Sequence, residues 1–450
     1  GTKSLSITEL TALGVTGVNN SNIQQIRALL KANAADESVY DTLAALQQIV
    51  NQGFSVTVAN FTGEKNSQGD YGEPTDSASY DTNSEVTAVG NTGAYLLTWQ
   101  SFTAIHIHRF EADGSSPLSS IKLALPSDQY SKPNIASLND SGDFVVSWCN
   151  MNNDIYFAAY NSSMQKVVDK VVIHQANSTI TNELDIAVID TQGTSIVVWE
   201  SAGTIYSRKI DANGNTQEGT ASVVTGPGTY YPQVTSTGLD GSYIITASQT
   251  VDGKAQIFVQ KFNADGSAQL AVFIDADGSN AYSDQYSSIS MLGEYGEFVV
   301  AFSGGAAAIG GAPRVYSQKF NSDGTKLDAL VTFDIPSAEQ GSYETAISDI
   351  GTSGEYVVVW LSSSPTPSKV YSQKVNADGT TTGNALIRFD ANSDFDLNDS
   401  KPSVSKIGSD GDYVISWTAN LPNGGGTHVY TQRVSAEGQL LTSWIGEGDI

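Results

Sequence analysis

One short pattern recurs seven times along the chain: a glycine, one variable residue, and an apolar run that usually ends in a large side chain. Its glycines are Gly93, Gly142, Gly193, Gly241, Gly296, Gly354 and Gly411, followed by runs such as YLLTW, FVVSW and YVVVW. Successive copies lie 49, 51, 48, 55, 58 and 57 residues apart. A period of this length indicates a repeat architecture in which each copy builds one structural unit.

Each copy is followed by a second strand-like segment, and most of these end in a turn. The second segments read IHIHRF, IYFAAY, IYSRKI, IFVQKF, VYSQKF, VYSQKV and VYTQRV. The turns that follow, such as DANG and NADG, place Gly where a hairpin needs a positive φ. With an apolar stretch on either side, each unit holds four short antiparallel strands, and the small-residue strand before the glycine is the innermost.

Four-stranded units repeated seven times predict a seven-bladed β-propeller, here over residues 54–450, in the all-β class. Two segments are candidates for the outer strand that completes the ring: FSVTVANF beginning at Phe54 and LLTSWI ending at Ile445. Five of the seven apolar runs end in tryptophan. We expect these tryptophans to fill the space between blades, with a ligand role as the less favoured interpretation.

Residues 1–53 have a different character. Apolar residues fall at helical spacing after the capping residues Thr8, Ser21 and Ser38, which predicts three short helices, the first stopped by Gly14 and the third ending at Gly53. We expect this small helical bundle to act as a linker that packs on the next domain, with a binding role as the alternative.

Composition excludes some classes of function. The 450 residues carry 22 Lys and Arg against 48 Asp and Glu, a net charge of −26, which argues against binding nucleic acid. The one cysteine cannot form an internal disulfide, and no apolar run is long enough to span a membrane as a helix. Because the sequence begins Gly1-Thr2-Lys3, we expect it to be part of a longer multidomain chain.

The units of the form VYSQKFNSDGT and FVVAF, together with the LTALGVTGVNNSNIQQIRALL head, resemble blade repeats and helical segments of large bacterial surface adhesins. Such proteins are exported by type I secretion, often carry RTX calcium repeats and occur in biofilms. The resemblance implies an extracellular location on the bacterial cell surface and a glycan or protein partner on a cell or matrix surface. It transfers no ligand residues.

The two faces of a propeller differ in their loops. Connections between strands one and two and between strands three and four form the turn face, which is uniform here. The crossover face carries the loops between strands two and three and the connections between blades, with long loops at 303–314 and 418–428.

Aromatic residues in or beside the crossovers are candidate ligand-binding residues: Tyr80, Tyr130, Tyr231, Tyr282, Tyr286, Tyr343 and Phe395. Tyrosine rings beside Asn, Asp and Ser suit sugar or peptide binding, while simple covering of blade edges is the alternative.

Acidic clusters in two crossovers are candidate calcium sites, because calcium prefers several carboxylate and carbonyl oxygens. Their members are Asp275, Asp277, Asp284, Asp390, Asp394 and Asp396. The alternative is that each cluster is an ordinary solvated turn.

Catalytic motifs are missing from the sequence, which contains no G-x-S-x-G, H-E-x-x-H or P-loop pattern. His106 and His108 share a strand face, but no third metal ligand is evident. We therefore predict a ligand-binding module and not an enzyme. A structural spacer without its own ligand is the alternative, and a glycan-acting hydrolase is a remote third.

Overall fold

The computed structural model confirms an all-β, seven-bladed propeller of four-stranded antiparallel blades. The predicted helical segment 1–53 and the strand from Phe54 lie outside the described residues. The structure describes residues 82–101, 104–112, 120–124, 132–150, 154–175, 180–216, 221–224, 228–276, 278, 283–293, 296–305, 313–333, 343–351, 353–362, 369–381, 386–390, 401–420, 427–441 and 445–446.

Every blade is a meander of four consecutive strands. The first strands are β1 Thr82–Ala88, β5 Asn134–Ser137, β9 Ile180–Val188, β13 Thr229–Ser236, β17 Asp284–Leu292, β21 Tyr343–Asp349 and β25 Ser403–Ile407. The second strands are β2 Tyr95–Gln100, β6 Phe144–Cys149, β10 Ser195–Ser201, β14 Tyr243–Val251, β18 Glu297–Gly305, β22 Tyr356–Ser362 and β26 Asp412–Asn420. The third strands are β3 Ala104–Phe110, β7 Ile155–Tyr160, β11 Thr204–Ile210, β15 Lys254–Phe262, β19 Pro313–Phe320, β23 Lys369–Val375 and β27 Thr427–Val434. The fourth strands are β4 Ile121–Ala124, β8 Lys166–His174, β12 Ala221–Val224, β16 Val272–Ile274, β20 Lys326–Phe333, β24 Leu386–Asp390 and β28 Ile445–Gly446.

The first strands line the centre of the ring, since each contacts the first strand of the next blade and β25 contacts β1. The predicted small-residue strand is therefore the inner one. The outer strand of the seventh blade is β28, which pairs with β27 and begins at Ile445, the last residue of LLTSWI, whereas residues 442–444 lie outside the described residues.

The repeated tryptophans are core residues, as predicted. Trp99, Trp148, Trp199, Trp360 and Trp417 expose no more than 4% of their surface. Trp360 illustrates the packing: its indole stacks on Tyr371 of its own blade and contacts Phe333 of the preceding blade at ring-centroid distances of 5.5 and 5.6 Å. The apolar core thus lies between blades.

A ring of cations joins neighbouring blades on the turn face. The last-but-one residue of the third strand is basic in six blades, and it donates a hydrogen bond to a main-chain carbonyl in the strand-three-to-four turn of the next blade. The pairs are Arg109 with Ser162, Lys209 with Ala264, Lys261 with Ser322, Lys319 with Ala377, Lys374 with Ala436, and Arg433 with Ala112. The last pair joins the seventh blade to the first and so closes the ring.

The interface between the second and third blades is built differently. Ala159 stands where the other blades have the cation, and Ser195 replaces the aromatic residue that stands two positions after the turn glycine in the other blades. Here the turn glycine Gly214 packs against β8 so closely that a Cβ atom on it would lie 2.6 Å from Val168 Cγ1. Apolar packing therefore takes the place of the third-strand cation at this interface, which is also joined by a hydrogen bond from the Arg208 guanidinium to the Ile173 carbonyl.

Side chains also satisfy the exposed edge of the inner strands. Ser403 and Ser405 of the seventh blade accept hydrogen bonds from the main-chain N–H groups of Val86 and Ala88 at 3.1 and 3.0 Å. An inner strand is an edge strand, so unpaired N–H groups there would be costly without such acceptors. Among the described residues, no helix is long and apolar enough to cross a membrane.

Candidate functional site

Three inner strands begin with the same backbone irregularity at the crossover face. The pairing register shifts at the start of β1, β13 and β17, and Asn83, Tyr231 and Tyr286 occupy the same place in each shift. Their φ angles are 55°, 58° and 56°. A left-handed conformation is unfavourable for a tyrosine, and such bulges re-aim side chains beside functional sites.

The bulges of blades four and five bring tyrosines together. The rings of Tyr231 and Tyr286 lie 4.9 Å apart between centroids at an interplanar angle of 46°. Tyr230 lies 6.3 Å from Tyr231 and exposes 42% of its surface, while the other two are half-buried. Thr345 Oγ1 of blade six donates a hydrogen bond of 2.7 Å to the carbonyl oxygen of Tyr286 and fixes the bulge. These three tyrosines are called the tyrosine cluster below.

The tyrosine cluster belongs to two inner strands whose next residues line the axial channel. This cavity has a volume of about 650 Å³ and inner-strand residues from all seven blades form its walls. Gln233 and Ser288, which line it, each follow a cluster tyrosine by two residues. The cluster therefore lies at the mouth of the channel on the crossover face.

Charged residues lie inside the same end of the channel. Lys401, before β25, donates a hydrogen bond of 2.6 Å from Nζ to Gln233 Oε1 of the fourth blade. Asp185 is buried, and its carboxylate accepts hydrogen bonds of 2.8 Å from the main-chain N–H groups of Ile186 and Val234. Glu85 accepts a main-chain hydrogen bond from Ile135 of the next blade.

Burial dominates the ionisation of both carboxyl groups. It raises the pKa of Asp185 to about 6, although two main-chain donors and the charge of Lys401 act in the opposite direction. Burial and the nearby charge of Asp185 raise the pKa of Glu85 well above its usual value, against the effect of Lys401. Among the described residues that line this end of the channel, Glu85 and Asp185 carry carboxyl groups, and Lys132 and Lys401 carry ammonium groups.

The structure brings together two of the predicted aromatic residues, Tyr231 and Tyr286. Tyr343 is the first residue of β21, at the crossover end of the sixth blade. The other predicted members, Tyr80, Tyr130, Tyr282 and Phe395, lie outside the described residues.

The predicted calcium residues are only partly described. Asp284 is buried and accepts a 2.9 Å hydrogen bond from the Ala276 N–H, and Asp275 accepts one of 3.2 Å from Gly278. These contacts shape the crossover between β16 and β17. Asp390 ends β24, while Asp277, Asp394 and Asp396 lie outside the described residues. Within the described part of the chain, no group of three His, Cys, Asp or Glu side chains is placed to hold a metal ion, and calcium binding stays a prediction.

The two histidines of β3 pack against an aromatic ring. His106 and His108 both lie 5.0 Å from the Trp99 ring. Ser101 Oγ lies 2.9 Å from His106 Nε2, a contact that could be mistaken for a nucleophile and its base. In the next blade, Asn150 makes the equivalent contact with Tyr156 at 3.1 Å, so the contact closes the loop between strands two and three.

Sequence reasoning missed the acidic residues of the channel. They occupy one repeat position, directly before the Val or Ile of each inner strand. The seven residues there are Glu85, Asn134, Asp185, Gln233, Ser288, Ala346 and Ser403. Two carboxylic acids among small or neutral residues were the available signal.

Comparisons with known proteins establish the fold. No protein-family model matches the chain, and no curated protein matches it. Among solved structures, the BP39L lectin from Burkholderia pseudomallei is similar at a TM-score of 0.54 and 12% identity, over 80% of this chain and 97% of that one. Hydrazine synthase from Kuenenia stuttgartiensis is similar at 0.51 and 10%, with the same coverage. The fucose-specific lectin from Aleuria aurantia is similar at 0.47 and 12%, over 70% of this chain and 94% of that one. A lectin and a synthase are both similar to this fold, so the fold does not decide the function and the site must.

Proposed function

We propose that this propeller is a carbohydrate-binding module of a large bacterial surface protein and that its tyrosine cluster holds the sugar. The observation that carries the proposal is the pairing of Tyr231 and Tyr286 in left-handed bulges at the mouth of the axial channel. Both residues adopt an unfavourable backbone conformation there. Strain of this kind is typical of functional sites, where it fixes the direction of a side chain.

The chemistry of the mouth suits a sugar. Tyrosine combines an apolar ring face, which packs against the C–H face of a pyranose, with a hydroxyl group for hydrogen bonding. The amide of Gln233 and the hydroxyl of Ser288 line the adjoining channel. A few polar groups beside aromatic surface is the usual composition of a small-ligand site.

Four parts of the proposal rest on the resemblance to surface adhesins. They are the extracellular location, attachment to a longer chain, avidity from several copies, and assistance by calcium in the crossovers. The similar BP39L protein is named as a lectin, and this agrees with the proposal at the level of the fold alone.

The spacer alternative is favoured by one observation. Tyr231 and Tyr286 are half-buried and contact each other, and such packing also seals the interface between blades four and five. We propose no catalytic role, because the Ser101–His106 contact repeats a structural one in the next blade.

A glycan array decides between these alternatives. The wild type is compared with the Tyr231→Asn, Tyr286→Asn double variant, with and without calcium. Phe273→Ala is the matched control, because this aromatic residue is 39% exposed on the outer strand of blade four, away from the channel. We expect binding to particular glycans, its loss in the double variant and its retention in the control. Failure of the wild type to bind any glycan would favour the spacer.

A further inference from the structure

Pairs of hydroxyl groups join neighbouring blades near the crossover face. The inner strand of one blade supplies one hydroxyl, and the second strand of the preceding blade supplies the other, from the residue directly before the tryptophan position. Ser84 Oγ of the first blade lies 3.1 Å from Ser416 Oγ of the seventh. Ser287 Oγ of the fifth blade lies 3.2 Å from Thr246 Oγ1 of the fourth. All four side chains are buried, so each pair satisfies two polar groups inside a blade interface.

The interface between blades five and six departs from this arrangement. Thr345 occupies the inner-strand position of the sixth blade, but Ala301 stands where the fifth blade would supply the second hydroxyl. The buried Thr345 hydroxyl donates instead to the carbonyl oxygen of Tyr286, at 2.7 Å. The Ala301 carbonyl oxygen is farther away, at 3.4 Å, and a hydroxyl group has one proton to donate. The alanine thus leaves this hydroxyl for a tyrosine whose φ is 56°.

The same hydroxyl is linked to the wall of the axial channel. Ser288 Oγ, which belongs to a channel-lining residue, lies 3.3 Å from Thr345 Oγ1. Because the Thr345 proton points to the Tyr286 carbonyl, Ser288 is the donor in this contact. Thr345 therefore connects an aromatic member and a polar member of the proposed sugar site.

We propose that Thr345 is a positioning residue for carbohydrate binding, which holds the Tyr286 ring against Tyr231 by fixing the carbonyl group of the left-handed bulge. The inference rests on the proposed function, in which these two rings hold the sugar. A residue with a left-handed φ can relax only by rotating its peptide groups, and such a rotation moves both the carbonyl group and the ring. One hydrogen bond is comparable in free energy to the cost of a left-handed residue, so its loss is enough to let the bulge relax.

Two variants separate the effect of the hydroxyl from that of packing. Thr345→Val keeps the shape of the side chain and removes the hydroxyl, whereas Thr345→Ser keeps the hydroxyl and removes the methyl group. Binding is titrated on the immobilised glycans of the array. We expect Thr345→Val to bind about fivefold more weakly than the wild type, the fold-change that corresponds to one hydrogen bond of about 1 kcal/mol. Thr345→Ser should bind like the wild type.

A second measurement follows the tyrosine without any glycan. Hydroxyl-radical footprinting of the free protein reports how accessible the half-buried Tyr286 ring is. We expect the ring to react faster in Thr345→Val and at the wild-type rate in Thr345→Ser. Ser416→Ala is the matched control, because it breaks a buried hydroxyl pair between blades seven and one and leaves Thr345 in place. It should keep the wild-type reactivity of Tyr286 and the wild-type glycan binding.

The outcomes separate this inference from the proposed function. If the wild type binds glycans and Thr345→Val keeps either the full affinity or the wild-type reactivity of Tyr286, the positioning role is overturned and the tyrosine site stands. Equal losses in Thr345→Ser and Thr345→Val also overturn it, because packing would then be the cause. An equal loss in Ser416→Ala overturns it as well, since any break between blades would have the same effect. Absence of glycan binding by the wild type overturns both proposals.

Discussion

Tyr231 and Tyr286 occupy the same position in two successive blades, and their rings lie 4.9 Å apart. Both have φ near that of Asn83, their counterpart in the first blade. Asparagine tolerates this conformation better than tyrosine does, and glycine tolerates it best. The two tyrosines therefore occupy positions where the left-handed backbone conformation favours asparagine or glycine.

This relationship predicts different effects on stability and binding. Tyr286→Ala keeps the strained φ and removes the ring, whereas Tyr286→Gly removes both. We expect Tyr286→Gly to be more stable than Tyr286→Ala by about 1 kcal/mol, because glycine pays no left-handed penalty. Both variants should lose glycan binding. Denaturant unfolding and the array measure the two effects, and a glycine variant less stable than the alanine variant would argue against strain at this site.

The cation ring predicts a stability cost when one member is removed. Lys319 is 5% exposed, donates to the Ala377 carbonyl at 2.5 Å and lies 5.9 Å from the Tyr356 ring. We expect Lys319→Met to lower the free energy of unfolding by about 1.5–3 kcal/mol, as for other hydrogen bonds that involve a charge. Lys326→Met, at an exposed position of β20, is the control and should change stability little. Similar values for the two variants would show that the ring does not hold blades together.

The buried tryptophans predict a larger effect. Trp360 has no exposed surface and packs between blades five and six. Trp360→Ala should lower the free energy of unfolding by roughly 3–5 kcal/mol, as large core truncations do. Thermal or denaturant unfolding checks this, and an unchanged midpoint would contradict the buried position.

Sequence periodicity was sufficient for the fold. The glycine-led runs predicted all seven second strands, because each blade is built from local contacts between consecutive strands. The basic residue of the third strand was visible in six copies, but its partner is in the next blade, 53–62 residues away in five of the six pairs. Spacing along the chain gives no direct sign of such a contact.

The site was less predictable for two physical reasons. Tyr231 and Tyr286 were identified as aromatic crossover residues, yet a left-handed tyrosine has no sequence signature, so their mutual contact could not be derived. Glu85 and Asp185 are 100 residues apart and meet only because the ring brings their blades to one channel. Closure of the ring, rather than local pattern, creates the charge cluster.

The raised pKa values predict a pH dependence of stability. A carboxyl group whose pKa is higher in the folded state contributes its stability fully below the unfolded pKa of about 4 and loses it as pH rises through the folded pKa. For Asp185 the folded value is about 6, and Glu85 shifts in the same direction. We therefore expect the unfolding free energy to fall by about 2–3 kcal/mol for Asp185 as pH rises from about 4 to about 8. Asp185→Asn should flatten this profile, and a stability maximum above neutral pH would contradict the assignment.

The most direct test of the account maps the bound glycan on the protein. Hydroxyl-radical footprinting with mass spectrometry measures the reactivity of each aromatic residue with and without the best glycan from the array. We expect protection of Tyr230, Tyr231 and Tyr286, with Phe273 unchanged as an internal control. Protection confined to the turn face, or to the outer strand that carries Phe273, would contradict it.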